Sequence, residues 1–161
     1  GISHGVMLSA NFGSDMKLDR TLVGDTVNVA SRLESITKEL QADVLCTQEF
    51  IDQHPDYEYY RPTGYIKLKG RSKKALVFEI FEDNPKEVVA WKQSTIPVLE
   101  KLISMELEGR FDECLSITQN LIARCPQHTL KKDLLMDRTL LILAAKLEEK
   151  IKLLESPESK K

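Results

Sequence analysis

The chain has 161 residues and a formal net charge of −2, enough for one ordinary domain or two small ones. Its hydrophobic fraction is 42% and its charged fraction 30%, ordinary values for a soluble globular protein. A balance this close to neutral makes no case for nucleic acid or an anionic membrane as partner, so any anion site must be local.

The N-terminus lacks the charged and apolar regions of a signal peptide and has no starting methionine, and Gly1-Ile2-Ser3 reads as the interior of a longer polypeptide. Ile2 to Phe12 then reads as a strand, and Gly13-Ser14-Asp15 as a turn. Asp25-Thr26 offers an N-cap for a helix from about Thr26 to Leu40, on which Val29, Leu33, Ile36 and Leu40 recur at helical spacing. Asn28, Arg32, Ser35 and Glu39 form a second stripe on another face. Asp43 to Thr47 reads as a short strand and Gln48 to His54 as a short helix. Tyr57 to Tyr60, Tyr65 to Lys69 and Leu76 to Phe81 read as strands, the last two joined by the basic loop Gly70-Arg71-Ser72-Lys73-Lys74.

From Pro85 onward the texture changes, and Gly109 is the only glycine. The boundary falls at Glu82-Asp83-Asn84-Pro85, where turn-formers end a strand and proline can open a helix. Amphipathic helices are expected over about Lys86 to Leu107, Phe111 to Arg124 and Leu130 to Leu154, with a frayed end from Glu155. No apolar run approaches the roughly 18 to 20 residues that span a bilayer. Cys46, Cys114 and Cys125 include no CxxC pair and no His-Cys cluster, which suits reduced thiols in a cytosolic setting and not a disulfide framework or zinc site.

One segment concentrates the chemistry: Thr21-Leu22-Val23-Gly24-Asp25-Thr26-Val27-Asn28-Val29-Ala30-Ser31-Arg32-Leu33-Glu34. A glycine turn feeding a helix start is where an anion can meet unpaired backbone N–H groups. Asn28 lies in the first turn, and Arg32 stands one turn later on the same face. An amide and a guanidinium aimed from one helix can hold a sugar and neutralise charge on a phosphoryl oxygen. An Asn and an Arg four apart would, taken alone, be surface decoration; the order of the whole segment changes that.

The segment resembles the class III adenylate and guanylate cyclase family. That family's pattern of Gly, two residues, Val-Asn, one residue, Ala, Ala or Ser, Arg-Leu is met by Gly24 through Leu33. Upstream, Gly1-Ile2-Ser3-His4-Gly5-Val6 and Asn11-Phe12-Gly13-Ser14 are similar to the strand and turn before the helix. Downstream, Leu68-Lys69-Gly70 and Val77-Phe78-Glu79-Ile80 are similar to the closing hairpin. The resemblance implies an α+β fold for residues 1–83: the C-terminal half of a ferredoxin-like cyclase domain, mostly antiparallel sheet with helices on one face. Residues 84–161 are then an all-α extension.

It further implies that ATP is cyclised to cyclic AMP with release of pyrophosphate, the 3′-hydroxyl attacking the α-phosphorus. Asn28 matches the ribose-orienting asparagine, Arg32 the arginine that stabilises charge at the α-phosphate, and Lys69 the lysine that binds the terminal phosphates. Thr21 takes the purine-recognition position, with the Leu22 backbone beside the base edge. A threonine hydroxyl can donate or accept, so adenine is favoured only mildly and a guanylate cyclase remains the alternative. A non-catalytic cyclase-like protein, or an interaction module with a cyclase remnant, are readings of another class; retention of Asn28, Arg32 and Lys69 together argues against decay.

Ser3-His4 replaces the family's His-Thr, Ala10 a common Gly, and Arg20 a frequent aromatic. His4 reads as structural or surface, while Arg20 lies near the expected purine pocket. The family uses Mg²⁺ or Mn²⁺ on two aspartates that belong upstream of Gly1. Asp15, Asp19 and Asp25 do not match them, so no metal ligand is assigned in this chain. The family works as a head-to-tail dimer with sites at the interface, which implies a homodimer partner or complementary half and an inactive isolated chain. A cytoplasmic location follows, with any tether to the inner membrane face upstream.

Gly109-Arg110-Phe111-Asp112-Glu113-Cys114-Leu115 followed by Pro126 resembles the second half of a tetratricopeptide repeat, a shape that can offer one helical face to a protein partner. Only one repeat is visible where stable arrays need about three, so a plain helical hairpin is an equal alternative. Lys67, Lys69, Arg71, Lys73 and Lys74 are better read as a solvated hairpin loop than as a nucleic-acid patch.

Overall fold

The structure, a computed structural model, describes residues 1–14, 17–67, 74–125 and 137–155, with residues 12–14 and 17–19 described by backbone alone. The chain order is β1 (Leu8–Ser14), β2 (Lys17–Val23), α1 (Asp25–Leu40), β3 (Val44–Thr47), α2 (Gln48–Asp52), β4 (Tyr60–Ile66), β5 (Ala75–Ile80), α3 (Lys86–Leu107), α4 (Phe111–Arg124) and α5 (Arg138–Glu155). The class is mixed α and β with antiparallel sheets, as expected.

The strands form two separate sheets. β1 and β2 make an antiparallel hairpin, and β3, β5 and β4 make a three-stranded antiparallel sheet in that order. Ile2 adds a parallel bridge to Cys46 on the outer side of β3, where its N–H donates to the Leu45 carbonyl at 2.8 Å. The expected strand from Ile2 to Phe12 is therefore split: Ile2 belongs to the larger sheet, and pairing with β2 begins only at Leu8. Gly13 and Ser14, expected to turn, continue β1. β2 itself was not foreseen, because Asp19 and Arg20 dilute the alternation by which a strand is recognised.

β4 joins the two stretches expected as separate strands around Arg61-Pro62-Thr63-Gly64. Pro62 and Gly64 read as breakers, but a bulge lies between them. Gly64 takes φ 107°, open to glycine at little cost. Because β4 is an edge strand, the missing N–H of Pro62 is tolerable.

Side chains alternate across the larger sheet. Leu45 and Val77 face α1, joining Val29, Leu33, Leu40 and Ala42 in one apolar cluster, with Ile142 of α5 packed against it. Their neighbours Cys46 and Phe78 face the other way and pack with Ile51 of α2, flanked by Ile2, Phe50 and Tyr60. Helices were expected on one face only; α2 covers part of the other because Phe50 and Ile51 follow β3 directly.

α3 and α4 match their expected ranges; α5 is described over Arg138–Glu155, and the expected helix start at Leu130 lies outside the described residues. They bury Leu99, Leu102, Met105, Cys114, Leu140 and Leu147 together. Pro97 lies inside α3 and removes one backbone donor without ending the helix. Among the described residues no helix is long and apolar enough to cross a membrane.

Candidate functional site

The hairpin delivers the chain directly into α1. Gly24 is the cap residue of that helix and makes no side-chain cap, so the expected capping by Asp25-Thr26 does not occur. A Cβ at Gly24 would lie 3.2 Å from the Val6 carbonyl oxygen and 3.3 Å from Met7 Cα. A side chain there would press on both backbone segments, which would have to give by a few tenths of an ångström. Thr26 is recruited elsewhere: its hydroxyl donates to the Val6 carbonyl at 3.0 Å. Asp25, in the first turn, places a carboxylate at the positive end of the helix dipole.

The segment Gly1 to Gly5 passes along α1. A Cβ on Gly1 would fall 2.1 Å from the Ala30 carbonyl, and one on Gly5 would fall 2.5 Å from Thr26 Oγ1. Val29 and Leu33 face the sheet and are fully buried. That phase turns Asn28 outward, exposed, and leaves Arg32 half-buried one turn on. Among the described residues neither side chain has a recorded hydrogen bond or ion pair, so both polar ends are available to a ligand.

Thr21 and Leu22 are exposed near the end of β2, two to three residues before the α1 cap, paired in register with Ala10 and Ser9. Thus Thr21, Leu22, Asn28 and Arg32 all lie on one hairpin–helix unit. Lys69 lies outside the described residues. Arg20, expected near a purine pocket, reaches across the hairpin to Ser9, its Nε donating to Oγ at 2.8 Å. Among the described residues no group of three or more His, Cys, Asp or Glu could hold a metal ion. A separate groove of about 340 Å³ between β4 and α5, lined in part by Tyr65, Lys67, Lys146 and Leu147, includes none of the described site residues.

Sequence reasoning missed a buried ionic cluster beneath the sheet. Arg61, 1% exposed, donates through Nε to Glu79 at 2.8 Å, its register partner on β5. Its Nη1 and Nη2 donate to the two carboxylate oxygens of Asp137 at 2.6 and 2.8 Å. Nη1 also reaches Thr95 at 3.3 Å. Trp91 Nε1 donates to Asp137 at 3.2 Å, and Lys92 to Glu79 at 2.5 Å. Burial opposes the Arg61 charge, but Glu79 and Asp137 more than compensate and push its pKa upward. Nothing in the local sequence marks Arg61 as buried; an arginine between tyrosine and proline reads as a strand-edge charge.

No protein-family model matches the chain. In sequence it is 39% identical over 80 residues to Adenylate cyclase 1 of Rhizobium meliloti, covering 50% of this chain and 12% of that protein. It is 27% identical over 122 residues to the terminal-differentiation-specific adenylate cyclase of Dictyostelium discoideum, covering 74% and 6%. It is 29% identical over 83 residues to the adenylate cyclase of Anabaena cylindrica, covering 50% and 16%. The chain thus spans less than a fifth of the length of each of these relatives. Among solved structures it is similar to the adenylyl cyclase CyaB of P. aeruginosa, with 30% identity, TM-score 0.42, and coverage of 52% of this chain and 41% of that one. A bacterial light-regulated adenylyl cyclase gives 28% identity, TM-score 0.45, and coverage of 58% and 27%.

Proposed function

We propose that this chain is one part of an adenylate cyclase, and that it contributes the transition-state-stabilising side of a site completed by a second subunit or half. The observation that carries the reading is the hairpin–helix unit: Asn28 and Arg32, one turn apart on a helix whose cap is a closely packed glycine, within a chain 39% identical over 80 residues to an adenylate cyclase. Residues 1–83 act as the C-terminal half of a ferredoxin-like class III domain. Residues 84–161 act as a helical extension similar to a tetratricopeptide repeat, able to engage a protein partner. Gly109, at φ 78° between α3 and α4, and the buried Cys114, whose Sγ lies 3.7 Å from the Leu102 carbonyl, support that likeness.

In this reading the 3′-hydroxyl of ATP attacks the α-phosphorus, the bond to the bridging oxygen of the β-phosphate breaks, and pyrophosphate leaves. Arg32 stands where a guanidinium neutralises charge that grows on the α-phosphoryl oxygens, an effect that acts on the transition state more than on the ground state. Asn28 orients the ribose, and Thr21 with the Leu22 backbone meets the purine edge. Lys69 binds the terminal phosphates. Mg²⁺ or Mn²⁺, held by the complementary half, supplies charge neutralisation when bound. A cytoplasmic location goes with this substrate.

The test is reconstitution. The chain is mixed with a cyclase half bearing the metal aspartates, and cyclic AMP and cyclic GMP are assayed from ATP and GTP with Mg²⁺ or Mn²⁺. Cyclic AMP that depends on both halves and on Arg32 supports the reading. Product that is indifferent to Arg32→Ala overturns the assigned role.

A further inference from the structure

Two adjacent residues at the head of α5 grip different parts of the molecule. Asp137 takes the two-pronged hydrogen bond of Arg61 on the edge strand β4, and its Oδ1 also accepts from the Leu140 N–H at 3.4 Å, capping α5. Arg138 donates through Nε to the side-chain oxygen of Gln41 at 2.9 Å. Gln41 ends α1 in the left-handed region at φ 49°, a conformation that costs a non-glycine residue and needs its surroundings to hold it. One turn on from Arg138, Ile142 packs into the cluster containing Val29, Leu33 and Leu40. α5 therefore touches the end of α1 through Arg138 and the apolar cluster shared by α1 and the sheet through Ile142, while Asp137 ties it to β4.

We infer that Asp137 and Arg138 are positioning residues for α1, so that the docking of α5 sets the orientation of Asn28 and Arg32; this rests on the function proposed above. The α1 members of that cluster interleave with the two site residues: Val29 follows Asn28, and Leu33 follows Arg32. A sixteen-residue helix moves as a rod, so freedom at its C-terminal end is passed to Arg32. A misplacement of about 1 Å at a reacting group is enough to cost on the order of 100-fold in rate. The helical extension is thereby part of the site's support, and a partner bound to the extension would reach the site through residues 137 and 138.

The coupling is read by amide hydrogen exchange on the full chain, which does not need activity. Asp137→Asn keeps the shape of the side chain but removes its charge. Exchange is expected to rise about 10-fold or more in residues 137–147 and 34–41, with residues 44–47 and 75–80 unchanged. The exposed Arg138→Ala, which does not threaten folding, is expected to raise exchange at residues 38–42 alone. Loosening of α5 with α1 unchanged overturns the inference, as does a uniform rise throughout the chain. In the reconstituted cyclase, Asp137→Asn is expected to lower kcat about 10-fold with KM for ATP within about two-fold, and Asp137→Glu to restore part of it. Exchange coupling without any cyclase activity in the unsubstituted protein would overturn the proposed function alone. Unchanged kcat despite loosened α1 would overturn the positioning role alone.

Discussion

Arg61 and Asp137, 76 residues apart in the chain, meet through two hydrogen bonds of 2.6 and 2.8 Å while their side chains are 1% and 3% exposed. Breaking a buried pair from one side strands the remaining charge, and costs about 3–5 kcal/mol. Arg61→Met would strand Asp137, although Glu79 would retain Lys92. Urea unfolding should show a lower midpoint at unchanged slope; a midpoint within error of the parent would mean the pair contributes little.

The pair also sets an acid limit. Burial opposes the Asp137 charge, but Arg61, with Trp91 and Lys92, holds its carboxyl below the usual carboxylate range. In the unfolded chain this group titrates near about 3.9, so on acidification the unfolded state takes up the proton first. The stabilisation is complete above that pH and is lost as pH falls through the depressed folded value. The gap in unfolding free energy between the parent and Asp137→Asn should stay level from about pH 8 to about pH 5 and narrow below about pH 4. A gap that widened toward acid would contradict the assignment.

Asn28→Ala and Arg32→Ala should separate activity from stability. Asn28 is exposed, and Arg32 has no recorded ion pair among the described residues, so thermal midpoints should move little. Cyclic AMP formation by the reconstituted enzyme should fall about 100-fold or more for each, the scale of removing one preorganised donor to a developing negative charge.

Gly24→Val tests the close approach of hairpin and helix. Any side chain there starts 3.2 Å from the Val6 carbonyl oxygen, and overpacking of this kind costs about 1–3 kcal/mol. The loss should appear in urea unfolding and, in the reconstituted enzyme, as a larger drop in kcat than Gly109→Asn produces at the exposed α3–α4 turn.

Thiol labelling checks the two packing layers. Burial pushes the Cys46 thiol up to about 12, and Cys46 is 0% exposed while Cys125 is half-buried. At about pH 8 a thiolate-seeking reagent should modify Cys125 well before Cys46, which should react only as urea unfolds the sheet.

Local pattern was enough for much of this. The stripe Val29, Leu33, Leu40 phases α1 correctly, and the ends of α3 and α4 fall where turn-formers and glycine interrupt the period. The order Gly24 to Leu33, with the motifs before and after it, was sufficient for a resemblance to the class III cyclases, because it matches that family's pattern position by position. Other features depend on groups distant in the chain. Lys17–Val23 becomes a strand only because Leu8–Ser14 lies opposite it, and Pro62 and Gly64 sit in one strand only because the edge and the bulge accommodate them.

Sequence by itself determined which helix carries Asn28 and Arg32 and which of its faces is buried, since helix phase is settled within a few residues. Only the tertiary structure decided that Arg61 is buried, that Asp137 faces it, and that the helical segment bears on α1. A buried charge is stable only beside a partner, and that partner, 76 positions away, is chosen by the packing of the whole chain.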